Sequence, residues 1–237
     1  MPHPNQAFLD RFNRDNPPAK APSDDTVDTY HGVEVADPYR PLEDLYASET
    51  DAWTTAQEER FQALIADVKD KDNLKDHLSE IWEYPRESLP NRCGERYFSS
   101  YNDGVSAQSV YQVRDSLEGE PRTLLDPNRW SEDGTVSLSG VFPSPDGTLV
   151  AYLTSQAGSD AQTLRIRDVA TGKDLSDVIE KCRFTSLSWD RDSEQGFSYT
   201  YPTFDANDPH GTKDRRFISK HHTLGQAIDK DPLVFEA

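Results

Sequence analysis

Cysteine, methionine and positive charge are all scarce in this chain. Among 237 residues there are two cysteines and one methionine. Cys93 and Cys182 lie far apart with no C-x-x-C spacing. That excludes a disulfide framework or a thiolate zinc site, and fits two buried or half-buried thiols in a reducing compartment. Lys and Arg number 25 against 43 Asp and Glu, a formal charge of −18. Nucleic acid and anionic membranes are therefore excluded as partners, because like charges repel. So many carboxylates read as a solvated acidic surface. No apolar run approaches the roughly 18 residues a membrane span needs. The start, Met1 to Gln6, has no apolar signal region, so a cytoplasmic protein is expected. Apolar residues are 34% of the chain, below the roughly 45–50% usual for folded domains. Ten Phe, ten Tyr and four Trp still supply core material and exclude wholesale disorder.

Catalytic and metal motifs are absent too. No G-x-S-x-G elbow places a serine in the strained turn that acyl transfer on an α/β-hydrolase requires, and Ser139, before Gly140, has the wrong flanks. The histidines (His3, His31, His77, His210, His221, His222) show no H-E-x-x-H spacing. His221 and His222 are adjacent, so on a strand they point to opposite faces and cannot chelate together; they read as strand-surface residues. Asp24-Asp25 and Glu58-Glu59 are the kind of pairs that chance produces in so acidic a chain. No catalytic residue, metal or cofactor is expected.

What is present is a repeated β pattern, clearest from Val136 to Lys173. An alternating run, Val136 to Phe142, stops at Ser144-Pro145-Asp146-Gly147, where proline presets φ and glycine supplies a positive φ. Leu149 to Leu153 is continuously apolar, which suits a strand buried on both faces. Thr163 to Arg167 alternates as a half-exposed strand, and Thr171-Gly172-Lys173 turns the chain again. The pattern recurs from Phe184 through a turn at Asp192, Ser193 and Glu194 into Phe197 to Tyr201, a period of roughly 46 residues. An earlier copy runs from Arg92 through Arg96–Tyr101 to Ser109–Val113. Three imperfect copies favour a partial β-propeller over a sandwich. Trp189-Asp190 reads as blade packing, without the Gly-His of a WD repeat.

Ahead of this region, residues 1–28 read as an extended, loosely ordered lead-in rich in Pro, Asp and Asn. Tyr30 to Asp44 reads as irregular, since two prolines and a glycine forbid a regular helix. Ser48-Glu49-Thr50-Asp51 matches a capping box, followed by Trp53, Ala56, Phe61 and Leu64 at helical spacing. A second helix opens near Asp72, with Leu74, Leu78, Ile81 and Trp82 on one face, and ends at Pro85. The expected division is an extended and helical segment, 1–84, and the first blades of a propeller, 85–237. The tail Leu233 to Ala237 reads as another strand cut short, so a fragment is expected.

Tyr30 to Asp44 (YHGVEVADPYRPLED), with Trp53 and Gln57 beyond it, resembles the N-terminal segment of the prolyl oligopeptidases. RYFSSYNDG from Arg96, VYQVRDSLEGEPRTLLDPN from Val110, SEDGTVSLSG from Ser131, GSDAQTLRIRD from Gly158 and HHTLG from His221 follow in the same order. Pro41 departs from the family's usual tryptophan. The resemblance implies a serine endopeptidase that cuts short peptides after proline. It implies a seven-bladed propeller that restricts access to an α/β-hydrolase domain, on which the N-terminal segment packs. This chain would hold that segment and about three blades, with the triad beyond its end and the hydrolase domain as its partner. The resemblance also gives Phe184 a role as a substrate-binding residue reaching toward the bound peptide; the structural alternative is a core phenylalanine. Two rival functions are a free-standing partial-propeller binding module and, less favoured, a propeller glycosidase.

Overall fold

The computed structural model describes residues 6–66, 68–191, 195–203 and 216–236. His3, His210 and the turn residues Asp192, Ser193 and Glu194 lie outside the described residues. The chain divides into two compact units, Met1–Glu80 and Ile81–Ala237.

The first unit contains a helix where the lead-in was expected to be extended: α1, Gln6–Asp15. Phe8 and Phe12, one turn apart, stack with ring centroids 6.4 Å apart, and Phe12 is buried. The Arg60 guanidinium sits 5.2 Å over the Phe12 ring and its Nε donates to the Asn16 carbonyl at 2.9 Å. Tertiary support of this kind stabilises a ten-residue helix that would be marginal alone. The supposedly irregular stretch is likewise partly regular. β1 (Val27–Tyr30) and β2 (Val33–Ala36) form a hairpin. Its turn residues His31 and Gly32 both have positive φ, +53° and +83°, the geometry that matches strand twist in two-residue hairpins. Arg40, at the start of a 3₁₀ turn, bridges Asp28 of β1 and Asp37.

Helix α2 spans Ser48–Ala66. Its half-buried face is Trp53, Ala56, Gln57, Arg60 and Leu64, with Phe61 turned outward. Trp53 Nε1 and Gln57 Nε2 both donate to the Ala19 carbonyl, at 3.2 and 3.3 Å, and so tether the lead-in. Helix α3, Lys71–Trp82, leaves Leu74, Leu78, Ile81 and Trp82 exposed.

Among the described residues the second unit is three antiparallel sheets, each a meander. In the first, β3 (Arg86–Glu87) and β4 (Asn91–Cys93) share one edge of β5 (Arg96–Asn102), followed by β6 (Val110–Arg114) and β7 (Arg122–Leu125). The second runs β8 (Val136–Pro143), β9 (Leu149–Gln156), β10 (Gln162–Asp168) and β11 (Asp174–Cys182). The third runs β12 (Leu187–Trp189), β13 (Gly196–Pro202), β14 (Phe217–Thr223) and β15 (Leu233–Glu236). These are three blades of a partial propeller preceded by helices. The C-terminal run is thus the outer strand of the third blade.

Strand β9 explains how the blades stack. Val150 and Tyr152 join Phe98, Val113, Leu124, Leu125 and Val169 in one core. The alternate residues Leu149, Ala151 and Leu153 join Leu164, Ile166, Ile179, Cys182, Phe197 and Tyr199 in another. A strand whose side chains alternate between two apolar clusters must be apolar at every position. The tight turns of the first two blades also touch. A Cβ on Gly94 would lie 2.1 Å from the Asp146 carbonyl oxygen, and one on Gly147 would lie 2.4 Å from that of Cys93.

Candidate functional site

Phe184 lies between β11 and β12, and the structure sets it apart from the core. It is 65% exposed, with φ of +48°. The left-handed region is sterically poor for a bulky side chain, so such a residue marks local strain of about 1–3 kcal/mol held by its surroundings. Those surroundings are visible. Arg183 forms a 2.7 Å ion pair with Asp160, in the link between β9 and β10, and its guanidinium lies 5.4 Å over the Phe184 ring. The aromatic face is therefore presented to solvent on a charged bracket.

The other singled-out residues serve structural ends. Ser139 Oγ donates to the Leu153 carbonyl at 3.2 Å. It lines a recess of about 440 Å³ with Ser100, Gln108, Tyr111, Leu138 and Gly140; that lining supplies no histidine or carboxylate to activate a serine. Trp189 Nε1 donates to the Phe142 carbonyl at 2.9 Å, tying the third blade to the second. Asp24 accepts the Thr26 N–H at 2.9 Å and Glu58 accepts from Gln62 at 2.6 Å, both local contacts. Both cysteines are free; burial pushes the Cys182 thiol up to about 11 and raises that of half-buried Cys93. Among the described residues no group of three or more His, Cys, Asp or Glu is placed to hold a metal. No helix among them is long and apolar enough to cross a membrane.

One expectation is corrected. His221 is half-buried and paired with Asp190 at 2.9 Å, but His222 is fully buried rather than a surface residue. In register it faces Phe197, on the core side of the third blade. Its ring nitrogens lie 2.9 Å from Asp177 and 2.9 Å from Asp231. Only the strand register decides which of two adjacent histidines faces inward, and the sequence carried no signal for it beyond the alternation of Phe197, Tyr199 and Tyr201 on the partner strand.

A family model, that of the prolyl oligopeptidase N-terminal β-propeller domain, matches residues 18–237. The chain belongs to the prolyl oligopeptidase family. It is similar to the prolyl endopeptidase of Elizabethkingia meningoseptica, 38% identical over 212 residues, covering 88% of this chain and 29% of that protein. Prolyl oligopeptidase A of Amanita bisporigera is 34% identical, with 90% of this chain and 32% of that protein covered. Among solved structures, one from a mechanistic study of two prolyl endopeptidases superposes with a TM-score of 0.79 at 33% identity, covering 92% of this chain and 32% of that one. Prolyl oligopeptidase B from Galerina marginata, bound to a 35-residue hydrolysis and macrocyclization substrate, superposes with a TM-score of 0.72 at 27% identity, over 94% of this chain and 34% of that one. The chain thus spans about a third of the length of these prolyl oligopeptidase relatives.

Proposed function

We propose that this chain is the N-terminal and propeller portion of a cytoplasmic serine endopeptidase that cleaves short peptides after proline. The propeller gates access to a catalytic triad that these 237 residues do not contain. Family membership over residues 18–237 carries the reading, and the absence of a G-x-S-x-G elbow fits it. Residues 1–84 form the segment that lies on the α/β-hydrolase domain, and residues 85–237 the first blades. The apolar surface of the hairpin supports that assignment: Tyr30, Val33 and Val35 share one face in the strand register and are all exposed, and a contiguous exposed apolar surface marks a contact site. The hydrolase domain is supplied by the same gene product or by a separate polypeptide.

Phe184 is the residue of this chain that meets the peptide, beyond the proline pocket. The test is a proline-specific assay on the protein as produced from its own gene, with Phe184→Ala beside the parent. Loss of one packed aromatic contact should lower kcat/KM for longer peptides by about tenfold and leave the shortest substrates unchanged. Equal loss for both would remove Phe184 from the substrate path. If the gene product has the mass of these 237 residues alone and no peptidase partner, a partial-propeller binding module is the reading that replaces this one.

A further inference from the structure

We propose that Gln162 and Thr185 are positioning residues for Phe184: with Arg183 they hold a buried water molecule beneath the crossover from β11 to β12, and so set the preference for longer peptides. This role in specificity rests on Phe184 meeting the peptide.

Among the described residues four buried side-chain atoms lack a protein hydrogen-bond partner, and three of them belong to this crossover and its neighbour strand: Gln162 Oε1, Arg183 Nε and Thr185 Oγ1. All three residues surround Cys182. Gln162 opposes Cys182 in the β10–β11 register, so the two side chains leave the sheet on one face. Arg183 follows Cys182 in the chain, and its Nη2 reaches 2.7 Å to Asp160, two residues before Gln162. Thr185 is only 7% exposed, and its hydroxyl lies beside the Cys182 thiol, a weak hydrogen-bonding group. That thiol itself donates to the Ile179 carbonyl at 3.4 Å.

A buried polar atom without a partner costs stability, and folded proteins seldom carry several in one place. These three are complementary. Arg183 Nε–H only donates, Gln162 Oε1 only accepts, and the Thr185 hydroxyl does either. They do not bond one another directly. One water molecule between them satisfies the whole set: it accepts from Arg183, donates to Gln162, and donates to or accepts from Thr185. Three partners is the usual number for a buried water. The backbone here needs such a tie, since Lys181 and Phe184 both hold positive φ. Beyond Thr185 the chain is fixed again, where the Ser186 N–H donates to Thr200 Oγ1 at 2.8 Å. The bridge therefore secures the stretch that carries Phe184.

The test uses the protein as produced from its own gene. Thr185→Val removes the hydroxyl with little change of volume, and Gln162→Met removes the amide oxygen. With a bridging water each change deletes a bonded partner, so the unfolding constant in urea should rise about fivefold to tenfold. The double variant should rise by less than the product of the two, because both act on one water. A merely unpaired hydroxyl gives the opposite sign: valine would then lower the unfolding constant, and that result would overturn the water. In the proline-specific assay both variants should lower kcat/KM for longer peptides through KM, by less than the roughly tenfold of Phe184→Ala, and spare the shortest. Thr185→Ser, which keeps the hydroxyl, should retain the parent's preference. In a Phe184→Ala background neither variant should matter further, and a loss that persisted there would overturn the positioning role. Longer peptides unaffected by Phe184→Ala itself would overturn the peptide reading of Phe184, and the specificity role with it, whereas a stabilising Thr185→Val beside an active-as-expected Phe184→Ala overturns the bridge alone. A crystal structure of the parent reads the site whichever variants fold. It should show a water within about 3.2 Å of all three atoms, and a site with no water would overturn the proposal.

Discussion

The contact between the first two blade turns can be tested with a single methyl group. Gly147 has φ of +72°, and a Cβ there would lie 2.4 Å from the Cys93 carbonyl oxygen and 3.2 Å from its carbonyl carbon. Gly147→Ala therefore has two costs. Holding alanine in the left-handed region costs about 1–2 kcal/mol, and pushing backbone away from backbone adds about 1–3 kcal/mol of overpacking. Alanine also narrows the unfolded ensemble, which returns about 0.4–1 kcal/mol. Gly134 provides the control. Its φ is +68°, nearly the same, and a Cβ there meets nothing within 4 Å. Gly134→Ala shares the dihedral cost and the unfolded-state gain, so the difference between the two variants isolates the turn contact. With an m-value of about 3 kcal/mol per M urea, the Gly147 variant should unfold at a midpoint about 0.3–1 M below the Gly134 variant. Gly94→Ala, whose Cβ would reach the Asp146 carbonyl oxygen at 2.1 Å, should behave like Gly147→Ala. Equal midpoints for Gly147→Ala and Gly134→Ala would refute the claim that backbone contact between turns helps to set blade spacing.

Two further predictions concern ionisation. Because burial pushes the Cys182 thiol up to about 11, a thiol reagent at pH 8 should label half-buried Cys93 first and reach Cys182 only on unfolding, as mass spectrometry of peptides would read. The Asp168 carboxyl is held below the usual range, chiefly by the Thr171 hydroxyl and then by its backbone N–H. Its depressed value means that it stabilises the fold above about pH 4 and that this contribution is lost as pH falls. Asp168→Asn should accordingly flatten the acid limb of stability against pH while lowering stability at neutral pH, and an unchanged acid limb would count against the turn bond.

Much of the blade architecture was legible because local pattern and tertiary demand agree. The unbroken apolar run at Leu149–Leu153 indicates burial on both faces, and the structure places its side chains in two separate cores. Ser144-Pro145-Asp146-Gly147 signals a tight turn, and there Gly147 N–H donates to the Ser144 carbonyl at 2.9 Å while Asp146 accepts from Ser144 and Thr148. The hidden elements depend on distant partners. β11 mixes polar and apolar residues, and register shifts along its pairing with β10 blur the alternation. α1 is only ten residues long and follows directly on a Pro- and Asn-containing start, and its burial comes from α2, more than 40 residues away, through Arg60. The β1–β2 hairpin is set by His31-Gly32, a weaker turn signal than Asn-Gly. The burial of His222 follows from its pairing with Phe197 across the sheet, which alternation within one strand cannot supply.

The candidate site shows the same division from the other side. An exposed aromatic in a strained backbone contradicts the local preferences that make blade strands readable, and such conflicts are where functional positions are found. Phe184 is such an exposed, strained aromatic, whereas Phe197, on β13, is fully buried against Trp189, Tyr199 and His222. Both are phenylalanines followed by a hydroxyl residue, Thr185 and Ser198. What separates them is the chain's exit from β11, where Lys181 and Phe184 both take positive φ, +59° and +48°. Two left-handed residues so close together re-aim the chain, turning Phe184 away from the core that Cys182 still enters. The Arg183–Asp160 pair then matters for geometry more than for stability, since a part-exposed ion pair contributes about 1 kcal/mol or less. It ties the connection that carries Phe184 to the link between β9 and β10, with the Arg183 guanidinium over the ring.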